Sequence, residues 1–150
     1  MTITQDLHGR LRAALPDAVP VLRPEDAQTP LHAAPVDAQG RPVVGAGERG
    51  LGAYLQQHPQ GYVQIGEVVG LGRGVTGRYW YPVTTLAPTE PTCAALADLV
   101  FTVLCGDPAR APGPYPPQFD TPPQQTTPGV WSSTLTVQAR TLNGDLIQGA

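Results

Sequence analysis

The chain has 150 residues, 14% of them charged, with 18 prolines and 17 glycines. That length suits one domain, spanning 1–150, with a real core, and the clustering of Pro and Gly predicts long irregular loops rather than global disorder. A net charge of −3, nine arginines without a cluster and no apolar run near the ~20 residues of a membrane span argue against a nucleic-acid-binding or membrane-spanning protein.

In chain order, the first predicted element is a short amphipathic helix over Thr4–Leu15, with Ile3, Leu7, Leu11, Ala14 and Leu15 on one face and Thr2 or Thr4 as cap. Its N-terminal residues lack the basic and apolar regions of a signal peptide. Residues 16–50 read as an excursion from the core. Val19, Val21 and Leu22 suit a short edge strand, Val36–Val44 a hairpin turning at Gln39-Gly40, and Gly45–Gly52 a flexible link. Leu51–His58 predicts one or two helical turns. Tyr62–Val69 predicts a strand, Gly70–Gly77 a glycine-rich hairpin tip, and Arg78–Leu86 the returning strand, where Pro82 marks a bulge or an edge.

Glu90–Gly106 is the longest segment with a helical period. Cys93, Leu96, Ala97, Val100, Val103 and Leu104 form its stripe, which Leu99 and Phe101 widen. Thr89 is a suitable cap, Pro91 suits the first turn and Gly106 the C-terminus. Cys93 and Cys105 lie roughly 18 Å apart along this helix at about 1.5 Å per residue, too far to form a disulfide. They read as buried apolar groups, which fits a reducing compartment. Residues 107–129 carry proline at such short intervals that an extended, polyproline-like loop without paired strands is expected. Val130–Leu142 alternates, with Trp131, Leu135, Val137 and Ala139 on one face, and Asn143-Gly144 signals a turn before a strand stub at Asp145–Gln148. The fold class is α+β: a small, mainly antiparallel sheet with two main helices packed mostly on one face and long Pro/Gly-rich loops.

No motif carries recognisable chemistry, and none implies a cofactor or metal. His8, His32 and His58 lack ligand spacing, and Ser132-Ser133 lacks the glycines of a nucleophile elbow. Gly70, Gly72 and Gly74 precede aromatic strand residues rather than a helix, so they suit a hairpin tip and not a phosphate loop. Glu67 can form a cross-strand ion pair with Arg73 or Arg78. Trp80 lies on the opposite strand face from Tyr79 and Tyr81; packing within the sheet is the plainer role, and an anchor at a subunit interface the sharper one.

The order of elements resembles the tail terminator (tail completion, minor tail protein U-like) family of tailed bacteriophages. The resemblance is carried by the short N-terminal helix, the Tyr62–Gly66 strand, the hairpin, the Ala94–Leu104 helix and the alternating Trp131–Thr141 strand. It spans residues 1–15 and 60–142 and rests on element order and patterning. It implies a non-enzymatic virion protein at the tail and neck, assembled in the host cytoplasm. Its subunits form a hexameric ring that caps the tail tube and meets a head-closure or connector protein, with the genome passing through and no sequence-specific nucleic-acid binding. Candidate interface residues are Arg73, Arg78, Trp80, Tyr115 and Phe119, with Gly70–Gly77, 107–129 and 16–50 as contact surfaces. A head-closure or connector subunit is the nearest alternative. A monomeric peptide- or ligand-binding module near Trp80, or a small enzyme, would be a different class.

Overall fold

Thr2 starts the first helix by a reciprocal cap. Its hydroxyl accepts from Gln5 N at 3.0 Å, and its own N–H donates to Gln5 Oε1 at 2.9 Å. Helix α1, Ile3–Ala14, then buries Ile3, Leu7 and Leu11. Ala14, expected with that stripe, is exposed at its margin. The Arg12 guanidinium closes the other end by donating to the carbonyls of Val19, Leu15 and Pro16 at 2.7, 3.3 and 2.6 Å.

The computed structural model describes residues 2–35, 37–41, 50–70, 76–107 and 109–142, at 76–78 and 140–142 by backbone alone. The Val36–Val44 hairpin falls partly outside them. Its turn is described: Asp37 Oδ1 accepts from Gln39 N and Arg41 N, both at 2.9 Å, and Gly40 takes φ 78°. Most of the link over 45–52, the tip at 71–75 and the strand stub at 145–148 lie outside the described residues.

The fold is α+β, as the pattern predicts. Strands β1 (Val21–Leu22), β2 (Tyr62–Ile65), β3 (Val69–Gly70), β4 (Thr76–Ala87), β7 (Pro117–Asp120), β8 (Gln124–Thr127) and β9 (Val130–Leu142) form one sheet. Its order is β1-β2-β4-β9-β7, with β3 on β4 and β8 on β9. Among the described residues, β1 on β2 runs parallel and the other pairings of this sheet are antiparallel. A separate ladder joins β5 (Gly106–Asp107) to β6 (Ala111–Pro112).

The single strand expected over Tyr62–Val69 is interrupted, and Pro82 is the reason. Ile65 pairs with Val83 and Val69 with Trp80, so four steps on one strand face three on the other. Pro82 brings no N–H to this gap, and its carbonyl accepts from Gly66 N at 2.8 Å. A Cβ on Gly66 would meet Pro82 Cγ at 2.8 Å, so only glycine fits there. Pro82 therefore marks a bulge inside the sheet rather than an edge.

Two further expectations are corrected. Residues 16–50 are not wholly an excursion, because Val19 and Val21 are buried in the main core. Residues 107–129 do hold paired strands. An edge strand needs donors only toward its one neighbour, so prolines are tolerated where bonds are accepted or absent. Accordingly Pro116 O accepts from Gln138 N at 3.0 Å, and Thr121 N donates to Thr134 O at 2.9 Å. The register slips once in each of β7 and β8.

Helix α3, Glu90–Cys105, has the expected cap at Thr89, whose hydroxyl accepts from Thr92 N at 3.4 Å. It buries Cys93, Leu96, Val100, Leu104 and Cys105. Leu99 is 49% exposed and does not widen the packed face, whereas Phe101 packs partly against the core. Helices α1 and α3 cover the sheet face made by Val63, Ile65, Tyr81, Val83, Leu135 and Val137. Helix α2, Leu51–Gln57, covers one end of the other face, where Tyr54 and Leu55 meet Tyr62 and Val130.

Gly106 ends α3 at φ 63°, and a Cβ there would lie 2.3 Å from the Ala111 carbonyl. Gly106→Ala should lower stability by more than about 1 kcal/mol in urea unfolding. Cys93 and Cys105 are unpaired and buried, and burial pushes each thiol up from 9.0 to about 11. Neither should react with a thiol reagent at pH 8 until the chain unfolds. Because the folded value lies above the unfolded one, their contribution to stability is complete below pH 9.0 and falls as pH rises toward 11. Replacing both cysteines by alanine should flatten that alkaline decline in thermal melts.

Candidate functional site

Among the described residues, the face of the sheet opposite α1 and α3 is covered at the end where α2 and Ala33 pack. Beyond α2 the same face continues through Thr84 and Thr134, whose hydroxyls meet at 3.1 Å. In register, Trp80 pairs with Gln138 and Val69, and Phe119 pairs with Thr136. The Trp80 and Phe119 rings stand edge to face, with centroids 5.0 Å apart and planes at 89°. They reach each other across β9. Phe119 is 51% exposed and Val69 48% exposed, so the stripe presents apolar surface outward. Trp80 belongs to neither hydrophobic core. By contrast Tyr81 is fully buried on the helical face and Tyr79 packs beside it, the division that strand alternation predicts.

The five candidate interface residues therefore separate. Trp80 and Phe119 come together. Arg78 is placed by backbone only, in register opposite Arg140. Arg73 lies outside the described residues. Tyr115 is not a surface anchor: it is 6% exposed and belongs to the main core. The bonds of Tyr115 N to Leu104 O at 2.9 Å and of Gly113 N to Cys105 O at 2.8 Å draw this segment onto the end of α3.

The Tyr115 hydroxyl donates to Asp6 Oδ2, which also accepts from Arg10 Nε at 2.8 Å. Burial first, and then the bond to Asp6, push the Tyr115 phenol well above its ordinary range. An open cleft of about 630 Å³ adjoins this triad, lined by Ile3, Asp6, Arg10, Pro114, Tyr115, Pro116, Gln138 and Ala139. Its lining divides between apolar Ile3, Pro114, Pro116 and Ala139 and polar Asp6, Arg10, Tyr115 and Gln138, a mixture that could hold a small ligand or peptide. Sequence reading missed Asp6 and Arg10. Their spacing of four on one helix was the available signal, but such exposed pairs contribute little by themselves. What raises their interest is the buried phenol, which is distant in sequence.

Among the described residues, no group of three His, Cys, Asp or Glu is placed to hold a metal ion, and no helix is long and apolar enough to cross a membrane. His8 Nε2 lies 3.0 Å from the Val21 carbonyl, and the His58 ring packs on Tyr54 at 4.5 Å. Burial holds the His58 imidazole below its ordinary value.

Tyr115→Phe keeps the ring and removes the bond to Asp6. It should cost about 1 kcal/mol in urea unfolding. An unchanged midpoint would show that this bond does not help hold α1 on the sheet. Compared with known proteins, the chain matches no family model and no curated sequence.

Proposed function

We propose that this protein is a structural assembly subunit, a tail terminator that closes into a ring on the end of a phage tail tube and joins it to the neck. The observation that carries the reading is the Trp80–Phe119 pair on a sheet face that, among the described residues, lies open beyond α2. A rigid sheet that presents an aromatic pair beside exposed Val69 offers surface for a neighbouring subunit. Subunits related by rotation around a ring need such a face and a different complementary surface. The order of helix, strand, hairpin, helix and long alternating strand supports the same family. On this reading the chain is not an enzyme; it acts in the virion, and its partners are further copies of itself, the tail tube protein and a head-closure or connector protein. A head-closure or connector subunit would use the same face in the same way. The cleft beside Asp6 and Arg10 favours a second reading, a module that binds a peptide or small ligand.

Mass photometry and negative-stain microscopy of the protein, alone and with tube protein, test the proposal. Rings or capped tubes are expected. Trp80→Ala should abolish them while leaving the thermal unfolding transition cooperative, because Trp80 lies outside both cores. A protein that stays monomeric and never caps tubes overturns the terminator reading, and loss of folding in the variant would assign Trp80 to the monomer's own packing.

A further inference from the structure

Leu99 keeps 49% of its surface exposed although it stands on α3 near Leu96, a member of the main core. It forms one wall of an open groove of about 430 Å³, with buried Val19 and Leu96 beneath and the exposed rings of Pro16, Pro59 and Pro91 around it. Nine residues line the groove, and none is charged. Arg12, which reaches Pro16 and Val19, spends its guanidinium on backbone carbonyls there.

The groove sits at the Ala87 end of β4. A Cβ on Gly61, two residues after Pro59, would meet Ala87 Cβ and Leu96 Cδ2, each at 3.1 Å. Trp80 lies seven residues back along β4, about 23 Å away at ~3.3 Å per residue, and faces the other side of the sheet. The groove and the Trp80–Phe119 pair therefore cannot meet within one chain. The segments outside the described residues are anchored away from the groove. Residues 143–150 leave from Leu142, eleven steps or about 36 Å along the ladder from Trp131, beyond the roughly 29 Å that eight extended residues span. Residues 71–75 leave the same end of the sheet, and 42–49 return at Gly50, whose N–H donates to Ala33 O on the α2 side.

We infer that this groove seats Phe119 and Trp80 of a second copy, a head-to-tail contact that rests on the ring reading and names its second surface. Charge selects the occupant. Copies of a chain with net charge −3 repel one another, so contact is cheapest where neither side brings a charge. The groove lining is uncharged, and so are Val69, Thr136 and Gln138, the register neighbours of the aromatic pair. A charged partner would find no counter-charge in the lining. Size selects the mode. Nine lining residues are far fewer than the roughly 20–30 a side of a whole interface, so the groove takes an anchor within a larger contact. Phe119, 51% exposed and braced edge to face by Trp80, is such an anchor. The proline rings are already rigid, so little order is lost in receiving it. A groove on one face and an anchor on the other make a heterologous contact, the kind that rotation closes into a ring.

The test is cross-linking between two variants, Ala95→Cys in the groove wall and Thr136→Cys beside Phe119. The native cysteines are buried. A short bis-maleimide is added to each variant alone and to their mixture, and dimers are read on a denaturing gel. The mixture should cross-link and neither variant alone should, because unlike surfaces meet. Adding Leu99→Arg to the Ala95→Cys chain, or Phe119→Ala to the other, should lower the yield at least about tenfold. Both positions are about half exposed, so a cooperative thermal transition is expected in each. Rings in microscopy without a mixed cross-link overturn this contact and leave the ring reading standing. Equal cross-linking of either variant alone, or a yield indifferent to both substitutions, also overturns it. A mixed cross-link without rings supports the contact and overturns the closed ring, and absence of both overturns both.

Discussion

The ladder between β4 and β9 is the constraint on which the rest of the structure depends. It runs through twelve consecutive register pairs, from Thr76–Leu142 to Ala87–Trp131. A slip of one residue would invert the faces of whichever strand moved, turning Tyr81 and Val83 out of the main core and Trp80 and Thr84 in if β4 slipped, or Leu135 and Val137 out and Thr134 in if β9 did. That one register therefore decides both what α1 and α3 cover and what the open face displays. The aromatic pair and the core are two consequences of the same alignment.

Proline works with this ladder rather than against it. Pro82 sits within a central strand, a place where proline normally removes a needed donor. Here the donor would have pointed into the β2–β3 gap, where Gly66 gives its N–H to the Pro82 carbonyl instead. Pro116 does the reverse at the sheet edge, accepting one bond from Gln138 and returning none. The first proline bends an inner pairing, and the second ends an outer one. Pro117, next in β7, has its missing N–H on the side away from β9, which leaves that stretch of the edge without a donor for unplanned pairing.

Much of the fold was legible in the residues because its signals are local. Thr2, Thr89 and Gly106 bound helices by their own side chains or backbone freedom. Val130–Leu142 declares its two faces by alternation, and the opposition of Trp80 to Tyr79 and Tyr81 follows from the same period. The misreadings share a different cause. Whether Pro116–Thr127 pairs depends on which side of the segment β9 lies, and no local pattern reports that. Gly66 looks like an ordinary strand residue until Pro82 is placed opposite. Tyr115 reads as an exposed aromatic in a proline loop, and only the return of that loop to α3 buries it.

The candidate sites follow the same division. Trp80 could be nominated from strand parity, yet its contact with Phe119 required β7 to lie beside β9, 39 positions further along the chain. The link between Tyr115 and Asp6 spans 109 positions and joins the Pro-rich segment to the first helix. Because the phenol bonds to the same carboxylate oxygen that holds Arg10, the guanidinium's position depends on how the loop docks. A segment that fails to return to α3 would expose Tyr115 and release Asp6, and Arg10 would lose its fixed place beside the β9 edge. Packing of the Pro-rich segment and formation of the cleft are therefore one structural event, and order in that segment sets whether the cleft exists at all.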